Sequence, residues 1–261
     1  MEPGPIRDAL TLIAGVGTGV LSAAFGVGGA VVSTPAIRLL GASAAVAVGT
    51  TLPSIFPSAV TGTSRYMRAG LIRWRVVGWA TPAGFLFAVG GSLLSKVIPG
   101  DGHWLMIATA VLLAVTAVRM GRPRDLAERT DDQPARDRPV VLVAVGALAG
   151  LMSGLLGIGG GTVMVPGFTE IAGIPVRSAI ATSLACVGIF AIPSTITHAL
   201  LGDIDWRFAT LLTIGVIPGA RLGAALAIRA TDRRMRIAVA SFLGVVSLLY
   251  AAGEIAALVQ S

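Results

Sequence analysis

Cysteine occurs once, at Cys186, and histidine only at His103 and His198. A single thiol inside an apolar run excludes a disulfide framework and a thiolate metal site, and Cys186 reads as a small packing residue. Charge is scarce too: 13% of residues are charged, where soluble domains average about 25%. Lysine is nearly missing, since Lys96 is the exception among twenty basic residues that are otherwise arginine. There is no Walker motif, no His-Glu-x-x-His and no Ser-His-Asp set in a polar pocket. ATP hydrolysis, zinc hydrolysis and acyl transfer therefore lack their residues; no catalytic residue, metal or cofactor is expected, and the chain does not read as an enzyme. A cation carrier is disfavoured for want of carboxylates at mid-depth.

What fills the chain instead is apolar: 54% hydrophobic residues and a mean hydropathy of +0.84 over 261 residues. This is the composition of an all-α integral membrane protein, with the lipid bilayer as its surroundings. The net charge of +7 suggests nucleic acid at first sight. The basic residues, however, sit in short loops between apolar runs without interleaved aromatics, a pattern of membrane orientation rather than phosphate binding. No nucleic-acid partner is expected. The start, Met1 to Asp8, has no basic region or cleavage site of a removed signal peptide.

Apolar segments long enough to span recur along the chain, but Ala30–Leu40 and Thr162–Ala172 are too short to cross a bilayer alone. Before each short segment lies a glycine cluster, Gly26-Val27-Gly28-Gly29 and Gly157-Ile158-Gly159-Gly160-Gly161, and each cluster is followed by a proline, Pro35 or Pro166. The one long polar stretch, Arg119–Arg138, divides a first repeat (residues 1–118) from a second (residues 139–261). Gly49-Thr50-Thr51-Leu52 matches Ala181-Thr182-Ser183-Leu184, and Gly70 to Arg75 matches Gly202 to Arg207. Duplication of this kind is a transporter plan, with the site near the midplane where the repeats meet.

Loop charges choose between parallel and inverted repeats. If each glycine-broken pair is a hairpin that returns to its own side, three arginine clusters fall inside: Arg65 to Arg75, the linker, and Arg229 to Arg236. Counting each hairpin as one crossing puts the third cluster on the wrong side. The expectation is therefore two inverted repeats, each a glycine-broken hairpin followed by three transmembrane helices. The linker is then cytoplasmic. Re-entrant hairpins and hairpins that cross fully satisfy the same parity.

In a bilayer, broken backbone is tolerated where it is buried in protein or lines a cavity. After each break a short helix restarts, at Ala30 and Thr162 or as late as Pro35 and Pro166, with Thr34-Pro35 reading as N-cap and N1. The amides of Gly28, Gly29, Gly159, Gly160 and Gly161, at the positive ends of two half-helices, would cradle an anion. The competing reading is close helix packing, which Gly15/Gly19, Gly146/Gly150 and Gly219/Gly223 suggest for themselves. Thr50, Thr51, Thr182 and Ser183 offer hydroxyls to the same anion, against simple bonding back to the preceding turn. Ser22 and Ser153, just before the breaks, are candidates of the same kind. Arg221 lies inside a span, where it either balances the anion's charge or snorkels toward Arg229. His198 is the candidate for proton coupling, against an ordinary interfacial histidine. Glu170 and Arg38, at the far ends of the short helices, read as surface anchors.

These doubled motifs, Ser-x3-Gly-[Val/Ile]-Gly-Gly-x5-Pro followed by [Gly/Ala]-Thr-[Thr/Ser]-Leu, resemble the TauE/SafE family of sulfite and organosulfonate exporters. The resemblance runs from Ala14 to about Leu249 and places the family pattern on Gly26, Gly28, Gly29, Pro35, Thr50 and Thr51. In the second half it falls on Gly157, Gly159, Gly160, Gly161, Pro166, Thr182 and Ser183. Ala30 stands where the second half has Gly161, which makes the two cradles unequal. The resemblance implies export of a small sulfur oxyanion, sulfite or a sulfonate, across a bacterial inner membrane. An inside-negative potential aids such export by about 2.3 kcal/mol per charge at 100 mV. Alternatives at this stage are a carrier or channel for a carboxylate or chloride, or an importer of a sulfur compound. Substrate, direction, coupling ion and any homo-oligomer stay open.

Overall fold

The computed structural model describes residues 4–39, 42, 44–95, 103–122, 139–157 and 159–260. Among these, every regular element is helical. Ten α-helices follow in order: α1 (Pro5–Phe25), α2 (Ala30–Leu39), α3 (Ala44–Arg68), α4 (Trp74–Leu94) and α5 (His103–Gly121). After the linker come α6 (Pro139–Leu156), α7 (Gly161–Pro166), α8 (Val176–Leu200), α9 (Trp206–Arg229) and α10 (Asp232–Gln260). The linker beyond Arg122, and with it Lys96, Asp101 and Ile158, lies outside the described residues.

Among the described residues, five helices are long and apolar enough to cross a membrane: Pro5–Phe25, Trp74–Leu94, Val176–Leu200, Trp206–Arg229 and Asp232–Gly253. α2 has 10 residues, and α7 has 6 before a π-helical turn over Gly167–Ile171. At 1.5 Å per residue neither reaches across a hydrocarbon layer of about 30 Å. The short segments are short helices, as their sequences suggest.

α1 packs along α9 and α4 along α6, so helices from one half embrace those of the other. α3 meets α8 at the centre, α3 also touches α9, α8 touches α4, and α5 lies against α10. Lipid tails give helices no hydrophobic reason to associate, so contact rests on close packing of small residues. α9 shows the consequence: its buried stripe includes Gly215, Val216, Gly219, Ala220, Gly223 and Ala224, while Ile214, Leu222 and Leu226 face outward. A Cβ on Gly15 would lie 2.8 Å from the Leu212 carbonyl oxygen, and one on Gly150 would strike the Gly84 backbone. Both glycine pairs are packing glycines, as is the Gly219/Gly223 pair against Val16 and Val20.

Two ion-paired links tie α10 to its neighbours, one to the π-helical turn after α7 and one to the start of α8. The Arg236 guanidinium, nearly buried, donates to the Met120 carbonyl at 2.8 Å and to Glu170 at 2.9 Å. Arg177 Nε donates to Asp232 at 2.8 Å. Glu170 is therefore not the surface anchor expected of it: the π-helical turn carries its carboxylate inward to Arg236. Removing one partner of a buried pair leaves the other charge uncompensated, at about 3–5 kcal/mol.

Candidate functional site

The two glycine clusters end α1 and α6 in the same way. Gly26 (φ +67°) and Gly157 (φ +64°) take left-handed backbone, and their amides donate to the carbonyls of Ser22 at 2.8 Å and Ser153 at 3.0 Å. This is the helix end that glycine favours, because a Cβ is penalised there. Gly28 (φ +79°), Gly159 (φ +82°) and Gly160 (φ +67°) keep the chain irregular before the short helices begin. α2 starts at Ala30, where the Gly29 carbonyl accepts from the amides of Val32 at 3.0 Å and Ser33 at 3.1 Å. Thr34-Pro35 is thus not a cap. Pro35 sits inside α2, and Thr34 faces Thr51 with its oxygen 3.5 Å away.

The clusters meet. A Cβ placed on Gly28 would lie 3.2 Å from the Gly159 Cα, and one on Gly159 would lie 3.2 Å from the Gly28 Cα. Gly161 fits under Gly26 and Val27, where a Cβ would collide with the Gly26 carbonyl oxygen and come within 2.5 Å of the Val27 Cα. The backbones touch because they carry no side chains at these points. The sequence suggested cradles facing one another across a solute; in this conformation they abut, with no room for one between Gly28 and Gly159.

The amides divide into used and unused. Gly161 donates to the Gly159 carbonyl at 2.8 Å, so its N–H is not available as expected: the left-handed turn at Gly160 folds it back. Among the described residues, the amides of Gly28, Gly29, Gly159 and Gly160 have no acceptor. Residues whose buried hydroxyls have no partner pack against them. The Thr18 methyl lies 2.5 Å from the Cβ position of Gly29, the Ser153 Cβ lies 3.3 Å from that of Gly160, and Thr162 comes two residues later. Sequence reasoning missed Thr18 and Thr162. Thr18 sits eight residues before its break and has no equivalent at Ala149.

The hydroxyl pairs on α3 and α8 do different work from one another. Thr51 donates back to the Val48 carbonyl at 2.9 Å, the local bond common in membrane helices. Ser183 donates to the Gly26 carbonyl at 2.8 Å, bracing the first break from α8. Thr50 accepts from the Asp205 amide at 2.9 Å, and Thr182 accepts from the Arg73 amide at 3.1 Å. Each of these two threonines pins the turn that enters α9 or α4, and each keeps its own proton to donate. Ser22 accepts from Ser58 at 3.2 Å.

The remaining candidates lie elsewhere. Arg221 is on the exposed face of α9 with Leu222 and Leu226, opposite the glycine stripe, and is not brought to the breaks. His198 is 3% exposed, with Nδ1 3.2 Å from Asp203 Oδ2. Cys186 is buried, and the Thr81 hydroxyl lies 3.6 Å from its sulfur. The described residues hold no group of three or more histidine, cysteine or carboxylate side chains able to bind a metal ion.

Spanning helices packed around two apposed backbone breaks define a multi-pass membrane protein, and its relatives give it a role. A probable membrane transporter protein of Xylella fastidiosa is 30% identical over 207 residues, covering 78% of each chain. Another, from Methanocaldococcus jannaschii, is 26% identical over 255 residues, covering 92% of this chain and 93% of its own. The probable membrane transporter protein YunE of Bacillus subtilis is 24% identical over 245 residues, covering 83% and 87%. No solved structure matches the chain. The chain belongs to the sulfite exporter TauE/SafE family, whose pattern matches residues 11–250. It is a membrane transporter of that family.

Proposed function

We propose that the chain is a secondary exporter of a small sulfur oxyanion, sulfite or an organosulfonate, working by alternating access about the two glycine breaks. The observation that carries this is the company kept by the breaks. Four buried amides lack acceptors among the described residues, and Thr18 and Ser153, which pack against Gly29 and Gly160, carry buried hydroxyls without partners, as does Thr162 two residues after Gly160. Buried polar groups left unmatched cost free energy and ask for a partner. Hydrogen-bond donors without a fixed positive charge suit an oxyanion that must also leave.

In this reading the contact between Gly28 and Gly159 is a closed state, and the anion enters as the breaks part. The halves are inverted repeats, with the linker cytoplasmic and the protein in a bacterial inner membrane. Thr50 and Thr182 join the site when the turns they hold lift away. Gly161 and Ser183 shape the site rather than touch the anion, and Thr51 does so from α3.

The test is flux into proteoliposomes of sulfite, methanesulfonate, acetate and chloride. The proposal expects saturable flux of the sulfur oxyanions above the others. Non-saturating flux would make the protein a channel, and preference for acetate or chloride would overturn the substrate class. Arg221→Gln, on the outer face, is expected to leave the saturation constant for sulfite within about twofold of the parent. A larger rise would place that guanidinium on the path.

A further inference from the structure

One stripe of α8 faces the two breaks. The Ile180 carbonyl oxygen lies 2.6 Å from the Cβ position of Gly26. One turn on, Ser183 donates to the Gly26 carbonyl at 2.8 Å. A further turn on comes Val187, at the spacing that keeps side chains on one helix face. Its Cγ1 lies 3.0 Å from the Cβ position of Gly28 and 3.5 Å from that of Gly159. A single methyl of α8 therefore packs beside both breaks at the point where they touch. Val187 is fully buried. Ile55, its counterpart on α3 in the repeat, is not among the nearest atoms at either glycine. The wall that α8 sets beside the breaks is apolar and comes from one half only.

We propose that Val187 is a specificity-determining residue of the anion site, and that it reads the fourth position on sulfur. This rests on the transport reading above. Sulfite carries three oxygens and a lone pair, a sulfonate three oxygens and a carbon, and sulfate four oxygens. The amides of Gly28, Gly29, Gly159 and Gly160 offer donors to the oxygens. The Val187 methyl neither donates nor accepts a hydrogen bond. A lone pair or a small alkyl group loses little against it. A fourth oxygen there is stripped of water and given no partner, which is costly. Such a site takes sulfite and short sulfonates and rejects sulfate, although sulfate and sulfite can carry the same charge.

The wall is also stiff. Valine in a helix keeps essentially one side-chain rotamer, because both its methyls branch from Cβ. Ser183 ties the same face of α8 to the first break. The methyl is thus a fixed wall rather than a mobile lid, and its bulk limits how long an alkyl group the site can take. Packing alone would also bury a valine here. A packing role, however, changes the rate for every solute alike, whereas a selective wall changes their ratio.

The experiment measures kcat/KM in proteoliposomes for sulfite, sulfate, methanesulfonate and propane-1-sulfonate, with sulfite and sulfate compared at a pH where both are dianions. Wild-type protein is expected to favour sulfite over sulfate, and over propane-1-sulfonate, by at least about tenfold. Val187→Ala is expected to raise propane-1-sulfonate relative to sulfite about tenfold, the lower end of what one methylene is worth in an apolar pocket. Val187→Ile, which adds a methylene, is expected to lower methanesulfonate relative to sulfite by a similar factor of about ten. It serves if the alanine variant does not fold. Ratios unchanged in a folded variant, whatever its absolute rate, make Val187 a packing residue and overturn this proposal. Wild-type protein that moves sulfate as well as sulfite overturns it too. Wild-type protein that moves none of the four overturns the transport reading itself.

Discussion

Alanine at Gly161 is expected to abolish transport, although alanine stands at the equivalent position, Ala30, in the first half. The new methyl would strike the Gly26 carbonyl oxygen and lie 2.5 Å from the Val27 Cα and 2.7 Å from the Val27 carbonyl carbon. These are backbone atoms and cannot rotate aside as a flexible side chain can. Overpacking in a filled interior costs about 1–3 kcal/mol, and a backbone collision belongs at the upper end. The relief available is separation of the two breaks, which dismantles the site along with the contact. Flux of sulfite is therefore expected to fall to background, with a lower unfolding temperature for the purified protein. Ala30→Gly, which adds freedom but no bulk, is expected to cost about 1 kcal/mol or less and to retain flux. Wild-type flux in Gly161→Ala would show that the breaks do not need their contact.

Leucine at Gly91 is expected to prevent recovery of folded protein, whereas leucine at its neighbour Gly90 is expected to be tolerated. Gly91 faces α6, where a Cβ would meet the Leu151 carbonyl oxygen and lie 2.8 Å from the Leu155 amide nitrogen. Gly90 has nothing within 4 Å of its Cβ position. Composition and helix propensity treat the two alike; only the approach of α6 distinguishes them. If association of α4 with α6 rests on small-residue packing, the first variant elutes as aggregate in detergent and the second as the parent. Equal behaviour of the pair would remove glycine packing as the cause of the α4–α6 contact.

Much of the fold was legible because it follows from local chemistry. The breaks at Gly26 and Gly157, the short helices after them and the packing glycines of α1, α6 and α9 all show in the sequence as glycine spacing within apolar runs. α2 begins at the earlier of the two starts that the glycine break allows, Ala30, so Thr34-Pro35 falls inside the helix and is not its cap. The site was less legible. Thr51 and Ser183 occupy equivalent positions, yet one hydroxyl turns back to its own helix and the other reaches a carbonyl 157 residues away. Arg236 and Glu170 are 66 residues apart and meet because a π-helical turn redirects one of them. Such pairings depend on how the halves pack, and spacing along the chain does not encode it. His198 was visible as a lone histidine; its partner Asp203 looked like an ordinary loop acid until Gly202 folded it back.

The most direct test is an anomalous difference map from crystals grown with selenite, a pyramidal oxyanion like sulfite with a strongly scattering centre. The account predicts a selenium peak within hydrogen-bonding reach of the amides of Gly28, Gly29, Gly159 and Gly160, with those two breaks moved apart. A peak elsewhere in the protein at saturating selenite, with Gly28 still against Gly159, would contradict it.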